Sequence, residues 1–353
     1  MHFIPFPKIG QFNATVQQIA SEERFLGLDD KGEPVYDAIK ILPKVTFNGT
    51  VKLHGTNSAV AMEGDEYWVQ SRENIITPTK DNCGCAAHFY GSDKKESVKK
   101  IITGLRTTYN IAPDKIVVLF GEWVGPGVQK NVAISQLPKK SFFLFAIRVV
   151  SSQRVITETN QEGTYVEDQW LPITDIRDHS INLYNISDYQ KYSVEIDLND
   201  PSHIVSDLQA LVDSVEKECP VSKAFGISGL GEGIVWEAEW KGIRRIFKTK
   251  GKEHAVTVHK DGKTVHADTE KIKNIQEFAK YSVTEARLNQ GVEKVFGATP
   301  LSKEKLGAFI KWIVNDIMTE EIDAISKNNL SAKDVQGEIS KMSRDWLLQK
   351  IGI

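Results

Sequence analysis

The stretch VKLHGTNSAV (Val51–Val60) decides how this chain is read. A lysine stands at the end of an aliphatic, strand-like run and is followed at once by His54, Gly55, Thr56 and Asn57. Two physical readings fit. In one, the segment is a surface hairpin, with Lys52 solvated and Gly55 making the bend. In the other, the turn holds a reactive amine at a fixed place. A free lysine is protonated at neutral pH and attacks nothing, so the second reading needs partial burial or nearby cations to keep the amine neutral.

Four further stretches bear on the choice. QSRENI puts Arg72 after a strand and a turn, and LFGEWVGPG ends an apolar strand with Glu122 beside a glycine-rich turn. GEGIVWE sets Glu232 and Gly233 at the start of a strand, and RIFKTKG spaces Lys248 and Lys250 two apart, on one face of a continuing strand. Each is unremarkable alone. Gathered around Lys52 they make a site with an amine nucleophile, two carboxylates and three cations. That set suits nucleotidyl transfer from a triphosphate. The amine attacks the α-phosphorus, while cations and a bound Mg²⁺ neutralise the phosphates as pyrophosphate leaves. Carboxylates hold ribose hydroxyls or the metal, directly or through water.

The order K-x-H-G, S-R, F-G-E, aromatic strand, E-G-x-V, K-x-K resembles the covalent nucleotidyltransferases, which are the polynucleotide ligases and mRNA capping enzymes. Lys52-Leu53-His54-Gly55 is similar to their first motif. DNA ligases and capping enzymes normally carry Asp where His54 stands. KLHGTN, completed by Asn57, and FGEWVGPGVQK (Phe120–Lys130) resemble instead the phage-type RNA ligase 2 family and the mitochondrial RNA-editing ligases. The resemblance runs from about Pro5 to Lys250.

Carried over position by position, the resemblance implies that Lys52 accepts AMP from ATP and that Arg72 contacts phosphate or ribose. It sets Glu122 at the ribose, Phe145 on the adenine (with Phe143 as the alternative), and Glu232 near the metal and α-phosphate. Lys248 and Lys250 fall on the phosphates. His54 and Asn57 serve more than the adenylation step. Mg²⁺, or Mn²⁺, is expected on Glu232 and Glu122, through water if not directly. Two residues depart from the pattern: Ala146 follows the aromatic where many relatives have an acid, and Val51 precedes the lysine where Glu is frequent.

The rest of the chain sets the frame. At 353 residues it exceeds a usual single core, so two domains are expected. Ile116–Trp123, Phe142–Val150, Gly233–Trp240 and Ile243–Lys248 read as strands; Ser97–Tyr109 and His203–Glu218 carry helical spacing. Beyond Lys252 only helical stripes remain: Val283, Leu288, Val292 and Phe296; Leu306, Phe309, Ile310, Ile313 and Ile317; then, after a Ser331 cap, Val335, Ile339, Met342 and Trp346. The expected fold is α+β: a nucleotidyltransferase domain (residues 1–252) of ATP-grasp-like antiparallel sheets flanked by helices, then an all-helical domain (253–353). DNA ligases and capping enzymes place an OB-fold after the K-x-K strand; the helical patterns here favour the RNA ligase 2 arrangement.

Net charge is −3, so a nucleic-acid partner needs a local basic surface, and KGIRRIFKTKGK (Lys241–Lys252) is the candidate. The three cysteines, Cys83, Cys85 and Cys219, argue for a reducing, cytoplasmic compartment. CGCAAH lacks the spacing of a zinc knuckle and reads as a plain loop. No apolar run is long enough to span a membrane, and the N-terminus lacks the pattern of a secretion signal. The resemblance thus implies a monomeric ATP-dependent RNA ligase acting on RNA with 5′-phosphate and 3′-hydroxyl ends, sealing nicks in duplex RNA. The rivals are a DNA ligase, a GTP-using capping enzyme, and an inactive RNA-binding relative.

Overall fold

The computed structural model describes residues 1–353 apart from 82, 130, 158–159, 252–274, 284, 298, 322–324, 326–331 and 353. Two compact units form, Met1–Thr249 and Lys250–Ile353. The expected boundary after Lys252 lies outside the described residues, as do Lys130 and the cap candidate Ser331.

The first unit begins with helix α1 (Phe12–Arg24) and a hairpin, β1 (Phe25–Leu28) and β2 (Pro34–Tyr36). Then come β3 (Lys44–Lys52), β4 (Thr56–Glu63), β5 (Glu66–Ser71), β6 (Ile75–Ile76), α2 (Cys85–Phe89), α3 (Ser92–Tyr109), β7 (Ile116–Val124) and β8 (Ser141–Val150). After these follow β9 (Arg154–Thr157), β10 (Asn160–Tyr165), β11 (Asp168–Leu171), β12 (Leu183–Asn185), β13 (Lys191–Asp197), α4 (Val205–Lys217), α5 (Pro220–Ala224), β14 (Gly233–Trp240) and β15 (Ile243–Lys250). One sheet has the order β13-β3-β14-β15. The other runs β11-β8-β7-β4-β5-β6, with β12 joining β8 in parallel. The four strands read from the sequence are all present. Helix α3 starts at Ser92, five residues before the Ser97 start read from the sequence, because its first turn is polar.

Alternation along β3 explains the four-stranded sheet. Val45, Phe47 and Val51 are buried, whereas Thr46 and Asn48 are exposed and Thr50 and Lys52 half-buried. The odd-numbered side packs on Trp236 and Phe247; the rings of Phe47 and Phe247 lie 5.0 Å apart. Burying either phenylalanine contributes about 1.5–3 kcal/mol. Gly49 lies on the same side of β3, where a Cβ would lie 2.8 Å from the Trp236 ring.

The larger sheet carries a bulge at a decisive place. Phe120 pairs with Ala146 and Gly121 with Leu144, leaving Phe145 without a cross-strand partner. One extra residue resets the alternation of β8. Phe142, Leu144 and Ile147 therefore join the core under α2 and α3, while Phe143 enters the core shared with the four-stranded sheet. Phe145 stays only partly buried.

The second unit consists, among the described residues, of helices with their own core: α6 (Ile275–Ser282), α7 (Glu285–Val295), α8 (Leu306–Glu320) and α9 (Ala332–Lys350). Leu288, Phe296, Phe309, Ile313, Ile317, Val335 and Ile339 are buried there, and Met342 and Trp346 pack against them. Within this unit, the buried Arg287 pairs with Asp316 at 2.8 Å.

Candidate active site

Lys52 ends β3 opposite Gly233, the first residue of β14. Glu232, just before that strand, is buried, and its Oε2 accepts a hydrogen bond from Lys52 Nζ at 2.6 Å. His54 Nδ1 lies 3.4 Å from the same oxygen. The turn after Lys52 is held from both sides. Gly55 N–H donates to Glu122 Oε1 at 3.0 Å, and the Gly55 carbonyl accepts from Gln129 Nε2 at 3.0 Å. A Cβ on Gly55 would lie 2.4 Å from the Trp123 carbonyl, so only glycine fits this close approach. Asn57, on β4, stands opposite Glu122 on β7.

Of these residues Lys52, Asn57 and Glu122 border a cavity of about 340 Å³ between the two sheets of the first unit. Lys52, Asn57, Glu122, Phe143 and Phe145 line it, with Val235 on β14 and Arg244 on β15. Burial pushes the Glu122 carboxyl above its usual value; Lys52 and the Gly55 amide act against that, and the nearby Glu232 adds to it. Lys248 and Lys250 alternate with buried Arg245, Phe247 and Thr249, and so share the side of β15 from which Arg244 and Ile246 reach the cavity.

The two phenylalanines differ. Phe143 is fully buried and stacked on Tyr184 at 5.1 Å. Phe145, on the bulge, meets Phe6 edge-to-face at 5.1 Å. Arg72 is exposed in the turn after β5 and is not among the residues lining the cavity.

The basic run on β14–β15 is less basic than its sequence. Arg244 forms a bidentate pair with Glu237, Arg245 pairs with Glu22, and Lys241 with Glu23. Three of its charges are thus held by acids, and Lys252 lies outside the described residues. Only the folded chain brings these acids to the run, since two of them come from α1.

The donor set suits a hard divalent cation. Glu122 and Glu232 offer carboxylate oxygens near the amine, and Mg²⁺ commonly takes one or two carboxylates, substrate phosphates and water. No cluster of three or more His, Cys, Asp or Glu arranged for a metal occurs among the described residues. Around Cys85 the arrangement is structural: its thiol is buried and pushed well above the usual thiol value, and His88 Nε2 pairs with the Ile181 carbonyl at 2.9 Å. No helix among the described residues is long and apolar enough to cross a membrane.

Sequence reasoning missed Gln129 as a partner of the turn after Lys52, and Glu237 and Arg244 as cavity residues. Gln129 was visible only as the end of the glycine-rich turn. Glu237 and Arg244 look like a surface pair on a hairpin until the second sheet covers that face.

The profile of the RNA ligase family matches residues 45–250. Among solved structures, an RNA ligase from Naegleria gruberi with PPi is similar at 17% identity and a TM-score of 0.41, covering 71% of this chain and 57% of that one. A mutant of the same ligase with ATP and Mn gives 17% identity and a TM-score of 0.40, covering 71% of this chain and 57% of that one. A further mutant, with AMP and Mn, has the same identity, TM-score and coverages. This chain thus spans little more than half the length of the solved ligase.

Proposed function

From the premise that the chain belongs to the RNA ligase family, we propose that it is an ATP-dependent RNA ligase working through a lysyl-AMP intermediate. The observation that carries the reading is the Lys52 amine, 2.6 Å from Glu232, in a cavity it shares with Glu122. In the first step Lys52 Nζ bonds to the α-phosphorus of ATP. The bond from that phosphorus to the bridging oxygen breaks, and pyrophosphate leaves with the electron pair. Glu232 is the base within reach of the amine proton. In the second step the AMP passes to an RNA 5′-phosphate. In the third, a 3′-hydroxyl attacks and AMP departs.

Burial matters to this chemistry. Between the sheets the effective dielectric is low, so Lys52, Lys248 and Lys250 act on phosphate charge more strongly than they would in water. A divalent cation held on Glu232 and Glu122 would supply further charge neutralisation at the phosphates. His54, on the same carboxylate oxygen as Lys52, is suited to the later steps. The helical unit beyond Thr249 assists RNA end engagement, and the substrate is a nick in duplex RNA.

The test is incubation with Mg²⁺ and α-labelled ATP or GTP, followed by denaturing electrophoresis. Label from ATP that is absent in Lys52→Ala is the expected result. No label from either nucleotide overturns the enzyme reading, and label from GTP alone favours a capping enzyme. A nicked-duplex series with RNA or DNA on each side of the nick then checks the substrate.

A further inference from the structure

The floor of the cavity is a ladder of three rungs, set by the pairing of β3 with β14. Lys52 pairs with Gly233, Thr50 with Val235, and Asn48 with Glu237. The rungs change in character along the strand. The first carries the nucleophile and the third carries a polar residue from each strand. Successive rungs are about 7 Å apart, so the third lies roughly 14 Å from the first along the strand. Part of that span is taken up by the Lys52 side chain itself. A nucleoside monophosphate anchored on the amine therefore runs over Thr50 and Val235, beside Phe145, and ends at the third rung.

Two features make the third rung a reader of chemistry. Glu237 lines the cavity and is gripped by Arg244 through two hydrogen bonds, which fix its carboxylate. Arg244 is itself held over the Trp170 ring, 4.4 Å from its centroid. The rung thus offers a carboxylate acceptor held in place by a fork that is itself anchored on a ring. The 6-amino group of adenine is the complementary donor.

We propose that Glu237 is the base-specificity determinant of this site, accepting from the adenine 6-amino group, and that Arg244 is the residue that positions its carboxylate. This deepens the reading of the chain as a lysine-adenylating ligase and rests on it. It also accounts for Val51 and Ala146: with the acids flanking the lysine and the aromatic gone, the carboxylate that reads the base comes from β14.

The experiment measures the concentration dependence of lysyl-nucleotide formation with ATP, with purine riboside triphosphate (which lacks the 6-amino group) and with GTP. It uses the full chain and the variants Glu237→Gln and Arg244→Lys. The unaltered chain is expected to favour ATP over purine riboside triphosphate by at least about tenfold in kcat/KM, in line with losing one hydrogen bond to a charged group. Glu237→Gln is expected to remove most of that preference, chiefly through KM for ATP, while the weaker nucleotide is little changed. Arg244→Lys, which retains charge but not the fork, is expected to weaken it as well. Parallel losses with both nucleotides would mean a merely structural pair and overturn the proposal, as would an unaltered preference in Glu237→Gln or a wild-type preference for GTP. Absence of label from every nucleotide in the unaltered chain would instead sink the underlying ligase reading.

Discussion

The two faces of the β3–β14 pair show how one set of strands serves two purposes. On one face Phe47, Val51, Ile234 and Trp236 are closed into the core. On the other, one residue over, Thr50, Lys52, Val235 and Glu237 line the cavity. The backbone is shared, so rigidity gained on the buried side is inherited by the site. The lesson is that the accuracy of the nucleophile's position comes from residues that never meet substrate.

That comparison can be broken from either side. The largest effect is expected on the cavity face: Lys52→Ala should lower label transfer from α-labelled ATP by at least about 10⁴-fold, over 5 kcal/mol of barrier, with little change in the unfolding midpoint. Substitution on the core face should do the reverse. Trp236→Ala removes a fully buried ring and its hydrogen bond from Nε1 to Thr249, and should cost about 3–5 kcal/mol in urea unfolding. Equal activity losses per folded molecule in the two variants would mean that the faces are not separable.

Gly55→Ala sharpens the comparison at the junction. The added methyl meets the Trp123 carbonyl, a backbone atom that does not move aside, so about 1–3 kcal/mol of stability should be lost. Adenylation should fall further than stability explains, because the same turn directly follows Lys52 and is tied to Glu122. Unchanged adenylation in the folded fraction would show that the turn is only a connection.

The smallest effect concerns Glu122. Burial raises its pKa above the ordinary 4.5, so the folded chain holds that proton more tightly than the unfolded one. Its contribution to stability is therefore fully present below about pH 4.5 and is lost as pH rises through the raised value. Glu122→Gln keeps the acceptor for the Gly55 amide and removes the buried charge. Its melting temperature should equal or exceed that of the unaltered chain at pH 7, with the advantage shrinking toward pH 4.5. A melting curve with the opposite trend would place the carboxylate in a more polar setting than its burial indicates.

Much of the site was legible in the chain because it consists of short motifs whose residues carry chemistry in fixed spacing. Lys52, Glu232 and Glu122 come together in space as those motifs suggested. Lys248 and Lys250 share a strand side with cavity residues for the period-two reason given at the outset. Phe143 and Phe145 were indistinguishable by spacing, since the bulge that separates their surroundings depends on pairing with Phe120 and Gly121. Arg72 stayed outside the cavity lining, and a turn sequence carries no information on which way it projects. The basic run was misread as an open positive surface. Its counter-charges on α1 lie more than two hundred residues away in sequence, and no local pattern announces them.

What the sequence determined by itself was the alternation of the strands, the helical character of the described residues from Ile275 onward, and the identity of the reactive groups, because these depend on local periodicity and side-chain chemistry. Tertiary structure alone decided which face of β3 became a cavity, how differently Phe143 and Phe145 are surrounded beside it, and that Glu237 and Arg244 line it. Those outcomes depend on the packing of one sheet over another, and the contacts that fix it join residues far apart in the chain.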